Sequence, residues 1–324
     1  MDFKDLYAVV ADDFAAVNQF ITDRLNTNVP MIREVGEYIV GSGGKRLRPL
    51  VAVLAARACG YQGDKHIHVA AIIEFLHTAT LLHDDVVDES SLRRGRPTVN
   101  AVWGNAASVL VGDFLISRAF QLAAEVGDLT LMDILADSTN IISEGEVLQL
   151  INCRDPATTE ERYMRVIHHK TAKMFESAAE TGAVLGLGGE RPELREKLAA
   201  YGRHLGIAFQ LVDDVLDYVG DAGELGKNVG DDLAEGKPTL PLIHAMREGT
   251  PEQAAMIRSA ILKGGLDHLD EILAVVRSSG GLDYTMAQAR KQTELALAAL
   301  VELPPSPYRE TLEALAREAV NRHF

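Results

Sequence analysis

Apolar positions along this chain recur at i, i+3, i+4 and i+7, the spacing of helices that bury one face. No stretch alternates with a period of two between turn residues, so no strand is expected. The pattern predicts an all-α fold. Residues 3 to 24 form an amphipathic helix with Leu6, Val9, Val10, Phe14 and Val17 on one side. A second helix opens at Asn28-Val29-Pro30 and runs to about Val40, where Gly41-Ser42-Gly43-Gly44 stops it. Others follow from Leu50 to about Cys59, from Lys65 to Glu89, over 104 to 126 and over 128 to 151. Thr158 and Glu161 have capping-box spacing and open the next, which carries Lys170-Thr171. Pro192 opens a helix to about 219, and five more cover 239–248, 251–263, 267–278, 283–302 and 307–322, the last with Ser306 as N-cap and Pro307 at N1. Two loops stand out. Residues 90 to 97 carry Arg93, Arg94 and Arg96, and residues 220 to 238 hold several glycines with Lys227, Asp231, Asp232 and Lys237. A loop as long as the second, inside a helical chain, points to function.

Within that pattern, one polar stretch interrupts an apolar helix. Asp84, Asp85 and Asp88 stand at i, i+1 and i+4, within a roughly 100° arc of a helix face, and Ile72, Ile73, Phe75, Leu76, Leu82 and Val86 surround them. Carboxylates in such company need a partner. A hard divalent cation such as Mg²⁺ relieves the repulsion between them. The motif then repeats as Asp213, Asp214 and Asp217, again between apolar residues: Phe209, Leu211, Val212, Val215 and Leu216. Two such helices facing each other would line one cavity with six carboxylates, as bundles build metal sites from facing helices. An anionic substrate would complete that site.

Composition and charge narrow the classes. The chain has 324 residues, 47% of them apolar, and is expected to fold as one domain over 1–324. With 32 Lys and Arg against 47 Asp and Glu, its net charge is −15, which argues against a nucleic-acid partner. Two cysteines, Cys59 and Cys153, form no disulfide framework and suit a reducing cytoplasm. No uncharged apolar run reaches the roughly 18 residues of a membrane span. Against this acidic background Lys45, Arg46 and Arg48, then Arg93, Arg94 and Arg96, and further on Lys170, Lys227 and Lys237 all sit where turns begin or end. Arginine suits bidentate capture of phosphate oxygens. Two basic groups suggest two diphosphates, one bridged to the aspartates by metal and one held by side chains directly.

These stretches together resemble the trans-polyprenyl diphosphate synthases, most closely the long-chain, octaprenyl-type enzymes of quinone biosynthesis. The resemblance rests on Gly43-Gly44-Lys45-Arg46-Leu47-Arg48-Pro49, Leu82-His83-Asp84-Asp85-Val86-Val87-Asp88, Arg93-Arg94-Gly95, Lys170-Thr171-Ala172, Gly206 to Asp217, Gly226-Lys227-Asn228 and Gly236-Lys237-Pro238-Thr239, in matching order. It implies an isoprenoid synthase fold, a homodimer, Mg²⁺, and head-to-tail addition of isopentenyl diphosphate to an allylic diphosphate such as farnesyl diphosphate. By the family pattern Asp84, Asp88 and Asp213 bind Mg²⁺ on the allylic diphosphate, supported by Asp85, Asp214 and Asp217, with Asp217 a further candidate metal ligand. Arg93 would contact the allylic diphosphate, and Lys45, Arg48, His77 and Arg94 would hold isopentenyl diphosphate. Lys170, Thr171 and Gln210 would lie beside the breaking bond, with Lys227 and Lys237 closing over the allylic group. His77, seven residues before Asp84, shares its helix face, although spacing alone would read it as a core histidine.

Ala79 and Thr80 stand five and four residues before Asp84, one helical turn away, where short-chain members of the family tend to place an aromatic floor. Small residues there imply an open tunnel and a long product, whose insolubility would favour peripheral membrane contact. Three rivals have distinguishing marks. A terpene cyclase has no evident need for the second basic group. A di-iron bundle needs Glu-x-x-His twice, and only Glu74-x-x-His77 is found. A non-catalytic subunit would have lost one acidic motif, and both are intact.

Overall fold

The apolar period folds as helices in the computed structural model, which describes residues 3–41, 43–219 and 229–321. In chain order they are α1 (Phe3–Leu6), α2 (Ala11–Arg24), α3 (Pro30–Gly41), α4 (Leu47–Ala58), α5 (Lys65–Val87), α6 (Val99–Trp103), α7 (Asn105–Val126), α8 (Leu129–Asn152), α9 (Glu160–Ile167), α10 (Lys173–Leu187) and α11 (Pro192–Val219). After them come α12 (Asp231–Ala234), α13 (Leu240–Glu248), α14 (Pro251–Lys263), α15 (Leu269–Ser278), α16 (Gly281–Ala299) and α17 (Pro307–Val320). The fold is all-α, as the period required.

Four local expectations are corrected. The first helix is broken at a 3-10 turn, Ala8–Val10, because Val10 leaves helical geometry at φ −128° and ψ 27°. The loop after Asp88 holds a strand pair too short for a periodicity test, β1 (Leu92–Arg93) against β2 (Arg96–Pro97). Thr159, not Thr158, caps α9: its hydroxyl accepts the Arg162 N–H at 3.2 Å, while the Thr158 hydroxyl is buried. The helix carrying Lys170 and Thr171 is not continuous, since a π turn at His168–Ala172 separates α9 from α10. Ser306 caps α17 as expected, accepting the Arg309 N–H at 3.2 Å.

The chain divides into two units. The first comprises Met1–Thr139, Met174–Gly202 and Ala299–Leu315, the second Asn140–Lys173, Arg203–Ala298 and Ala316–Phe324. In the first, α4 and α5 supply a core of fully buried residues such as Leu50, Val51, Leu54, Ile72, Ile73 and Phe75. Asp13 of α2 ties three helices there, taking Arg57 Nε at 2.9 Å, Arg57 Nη2 at 2.6 Å and His66 Nε2 at 2.8 Å. Helix α7 runs antiparallel to α5: the Lys65 ammonium donates to the Val126 carbonyl at 2.7 Å, and the Ser108 hydroxyl to the Leu82 carbonyl at 2.7 Å. His83 Nε2 lies 3.1 Å from the Val109 carbonyl, so α7 grips α5 at the residue next to Asp84. In the second unit, Tyr163, Ile167, Leu211, Val212, Leu240 and Ile243 form one apolar cluster and Tyr218, Leu233, Leu242, Ile257, Ile272 and Val276 another.

Candidate active site

In the first unit the acidic motif closes α5. Asp84 and Asp88 are half-buried, and the Asp88 N–H caps the helix on the Asp84 carbonyl at 2.8 Å. Asp85 turns inward and is 1% exposed. Arg93 Nε reaches its two oxygens at 3.0 and 3.2 Å, and Nη2 reaches Oδ1 at 2.7 Å. A buried carboxylate requires such a partner. The i, i+1, i+4 spacing therefore divides, with two carboxylates toward the surface and the middle one held in an ion pair. The hairpin makes that pair possible. Arg94 (φ 53°) and Gly95 (φ 72°) are both left-handed, the requirement of a tight two-residue turn that sets Arg93 opposite Arg96.

The same turn sends the Arg94 guanidinium to the Gly43 carbonyl. Gly44 lies against it, at a φ of 137° that L side chains rarely adopt. Arg48 sits 4.4 Å from the centroid of the Phe175 ring and donates Nη1 to His77 Nε2 at 3.1 Å. Arginine can only donate, so Nε2 accepts and the imidazole proton is on Nδ1. Burial, followed by the charges of Arg48, Arg94 and Arg93, holds the His77 pKa well below its ordinary value. One turn earlier Glu74 faces Arg46 at 3.7 Å. Burial pushes its carboxyl upward against the pull of Arg46, Arg48 and Arg94. The Glu74-x-x-His77 element thus faces guanidinium groups, which argues against half of a di-iron site. Lys45 is exposed beside an open cleft of ≈ 640 Å³ walled by Gly43, Gly44, Lys45 and Arg46 on one side and Tyr7 and Phe14 on the other. Ala79 is buried, and half-buried Thr80 donates its hydroxyl to the His77 carbonyl at 2.7 Å.

A pH effect follows from two histidines. His77 and His66 both have pKa values lowered first by burial, so the native state stays neutral where the unfolded chain, with an ordinary pKa of about 6.5, takes up protons. The stability they preserve is present above that pH and falls as pH drops through it, by up to about 1.4 kcal/mol per pH unit for each histidine. Denaturation midpoints are expected to fall between pH 7.5 and 5.5 (working conditions around that unfolded pKa), and His77→Gln to flatten the slope. An identical slope in the variant would contradict the assignment.

In the second unit the repeat motif lies in α11 with the same division. Asp213 and Asp217 are half-buried, while Asp214 is 2% exposed. Asp214 accepts the Tyr163 hydroxyl at 2.5 Å and Gln210 Nε2 at 2.8 Å. Burial and the Asp232 carboxylate push its pKa up, and the two hydrogen bonds pull it down. Burial and Asp214 raise the Tyr163 pKa well above the usual phenol value, so Tyr163 keeps its proton. Asp217 accepts the Asp232 N–H at Oδ2, 3.3 Å, and the Gly230 N–H at its carbonyl, 2.9 Å. Lys237 donates its N–H to the Asp232 carbonyl at 2.8 Å and pairs its ammonium with Glu235. Lys227 lies outside the described residues.

The π turn presents Lys170 and Thr171, and such turns concentrate at functional sites. The Lys170 ammonium donates to Glu146 at 2.6 Å, and the Thr171 hydroxyl to Gln210 Oε1 at 3.0 Å. Gly145 lets α8 pack against the turn, since a Cβ there would stand 2.7 Å from the Lys170 nitrogen. Tyr163 and Glu146 are site neighbours that sequence reasoning missed. Neither carries a local signal, because each meets its partner from a distant segment.

Among the described residues, no group of three or more His, Cys, Asp or Glu is arranged to hold a metal on its own. The surface-directed pairs Asp84/Asp88 and Asp213/Asp217 nonetheless offer hard oxygen donors, and their chemistry suits a divalent cation. Mg²⁺ is commonly bound through one or two carboxylates together with substrate phosphates, with no all-protein cage.

Carboxylate pairs backed by buried partners, a guanidinium cluster, and a π turn whose Thr171 meets Gln210 of α11 are the parts of an enzyme that handles anionic substrates. The family model for polyprenyl synthetase matches residues 29–276, and the chain belongs to that family. It is 54% identical over 323 residues to octaprenyl diphosphate synthase of Escherichia coli (strain K12), covering 99% of each chain. It is 51% identical over 324 residues to an all-trans-nonaprenyl-diphosphate synthase (geranyl-diphosphate specific) of Rhodobacter capsulatus, again covering 99% of each. The crystal structure of a polyprenyl synthase from Caulobacter crescentus CB15, complexed with calcium and isoprenyl diphosphate, matches with a TM-score of 0.95 at 44% identity, over 99% of this chain and 98% of that one. The fold is that of the isoprenoid synthases, and the protein is a prenyltransferase acting on prenyl diphosphates.

Proposed function

We propose that this enzyme is an octaprenyl diphosphate synthase that extends an allylic primer such as farnesyl diphosphate with isopentenyl diphosphate and supplies a quinone side chain. The observation that carries the reading is the doubled acidic motif with its middle aspartate buried in each copy. The full-length identity to octaprenyl enzymes supports the chain length, and the nonaprenyl relative keeps nearby lengths as the second reading.

In this reading Lys45, Arg48 and Arg94 grip the isopentenyl diphosphate, with guanidinium groups matched to phosphate oxygens. Neutral His77 steadies Arg48 and can donate from Nδ1. Arg93 gives Nε and Nη2 to Asp85, so its contact with the allylic diphosphate falls to Nη1. Asp84 and Asp88 in the first unit, and Asp213 and Asp217 in the second, would hold Mg²⁺, which would supply Lewis-acid stabilisation of the departing diphosphate. Lys170, Thr171 and Gln210 stand beside the breaking C–O bond, and Lys237 closes over the allylic group. The apolar helix faces keep water from the allylic cation. The isopentenyl double bond attacks that cation, and a proton is lost to the diphosphate that has left. No enzyme nucleophile is required.

Other parts of the reading rest on separate observations. A homodimer is supported by the apolar residues that α7 leaves on the surface of its unit, Leu110 at 65% exposure and Val109 at 37%. Action in the cytoplasm agrees with two free cysteines, and peripheral membrane contact would serve release of an insoluble product. The Cys59 thiol is pushed by burial up to about 12, which makes it unreactive. We take 1–324 to act as one catalytic domain.

The test is incorporation of labelled isopentenyl diphosphate into an organic-extractable product, dependent on both an allylic primer and Mg²⁺. Incorporation that needs no primer would sink the reading. Chain length has its own check. Ala79→Phe is expected to shift the product to fewer isoprene units, with overpacking costing about 1–3 kcal/mol of stability. An unchanged product distribution would show that the growing chain does not pass Ala79.

A further inference from the structure

A line of hydrogen bonds in the second unit ends on a residue with no part in the chemistry above. Tyr163 donates to Asp214 Oδ2, Gln210 Nε2 donates to Asp214 Oδ1, and the Thr171 hydroxyl donates to Gln210 Oε1, at 2.5, 2.8 and 3.0 Å. Each link has a direction in the structure. Asp214 takes the amide nitrogen of Gln210 at Oδ1, which turns the amide oxygen toward Thr171. Thr171 then has to donate. Its single proton is committed to Gln210, and what the hydroxyl offers elsewhere is lone pairs. With the amide reversed, Gln210 would donate to Thr171 and the threonine proton would turn outward.

Tyr163 fixes the far end of this line. It is 5% exposed and packed in an apolar cluster with Ile167, Leu211 and Leu240, and its bond to Oδ2 leaves Oδ1 for Gln210. We propose that Tyr163 is a positioning residue: through Asp214 and Gln210 it sets the direction of the Thr171 hydroxyl, so that Thr171 offers an acceptor lone pair to the electron-poor allylic carbon. This rests on the reading above that puts Thr171 beside the breaking bond. Cooperative lines of this kind act as a unit in a low-dielectric interior.

Steady-state kinetics of the full chain with Mg²⁺, farnesyl diphosphate and isopentenyl diphosphate tests it, using Tyr163→Phe, Thr171→Val and the double variant, with thermal midpoints measured alongside. Tyr163→Phe removes only the hydroxyl. It is expected to lower kcat about tenfold, as for loss of one hydrogen bond to a charged group, and to leave KM for isopentenyl diphosphate within about twofold, because uniform binding is untouched. Coupled residues give non-additive losses, so the double variant should be no slower than Thr171→Val alone. Unchanged kcat in Tyr163→Phe, additive losses in the double variant, or loss of the fold on removing the hydroxyl would each overturn the proposal. A wild-type protein that fails to incorporate isopentenyl diphosphate would instead overturn the functional reading itself.

Discussion

Alanine at Asp84 or at Asp213 is expected to lower turnover by on the order of 10³-fold or more, the scale seen when a preorganised stabiliser of developing charge is removed, while the fold stays intact. The two residues hold equivalent places. Each opens an acidic motif and is half-buried, and each is followed by a middle aspartate that is buried and internally paired. Removing an outer carboxylate takes away a proposed metal ligand without leaving a buried charge unmatched, and it relieves repulsion with Asp88 or Asp217. Stability should therefore change little while activity collapses. Turnover and urea midpoints measured on the same preparations check both halves. Activity within tenfold of wild type, the equivalent of about 1.4 kcal/mol, would remove Asp84 and Asp213 from the metal site.

Arg93→Ala is expected to act in the opposite sense and destabilise the first unit by about 3–5 kcal/mol, the cost of stripping the partner from a buried ion. Asp85 is 1% exposed and takes three contacts from one guanidinium. The diagnostic comparison is with Arg93→Ala/Asp85→Asn, in which no charge is left behind. Much of the loss should be recovered in that pair, although its activity should remain low, because Arg93 also faces the allylic diphosphate in the proposed reaction. A single variant less than about 1 kcal/mol below wild type, in the range of exposed ion pairs, would show that the pair is open to solvent.

Periodicity made the helices legible, and the repeat of a spacing made both acidic motifs legible. Counting along a helix could not tell which carboxylates serve the surface and which the interior. Asp84, Asp85 and Asp88 fall on one arc by angle, yet the inward turn of Asp85 depends on Arg93, which arrives through a two-residue turn with both φ values positive. Arginine is unusual at such a position, so nothing in Arg93-Arg94-Gly95-Arg96 announced a hairpin. The π turn was equally hidden, because it depends on how Gly145 of α8 meets the Lys170 backbone. Tyr163 reaches Asp214 across 51 residues of sequence, a distance over which spacing carries no information. The cap of α9 was misplaced by one residue because Thr158 and Thr159 are chemically equal candidates, and only backbone geometry separates them. Glu74 and His77 looked like half of a di-iron site because spacing records proximity and not partners; their partners are Arg46 and Arg48.

Mass analysis of the dephosphorylated product tests most directly whether this enzyme builds a long prenyl chain. The purified protein is incubated with farnesyl diphosphate, excess isopentenyl diphosphate and Mg²⁺. A dominant product of eight isoprene units, as made by the octaprenyl relative, is the predicted result, lost in Asp84→Ala and Asp213→Ala. No elongation of the primer, or elongation that survives both substitutions, would contradict it.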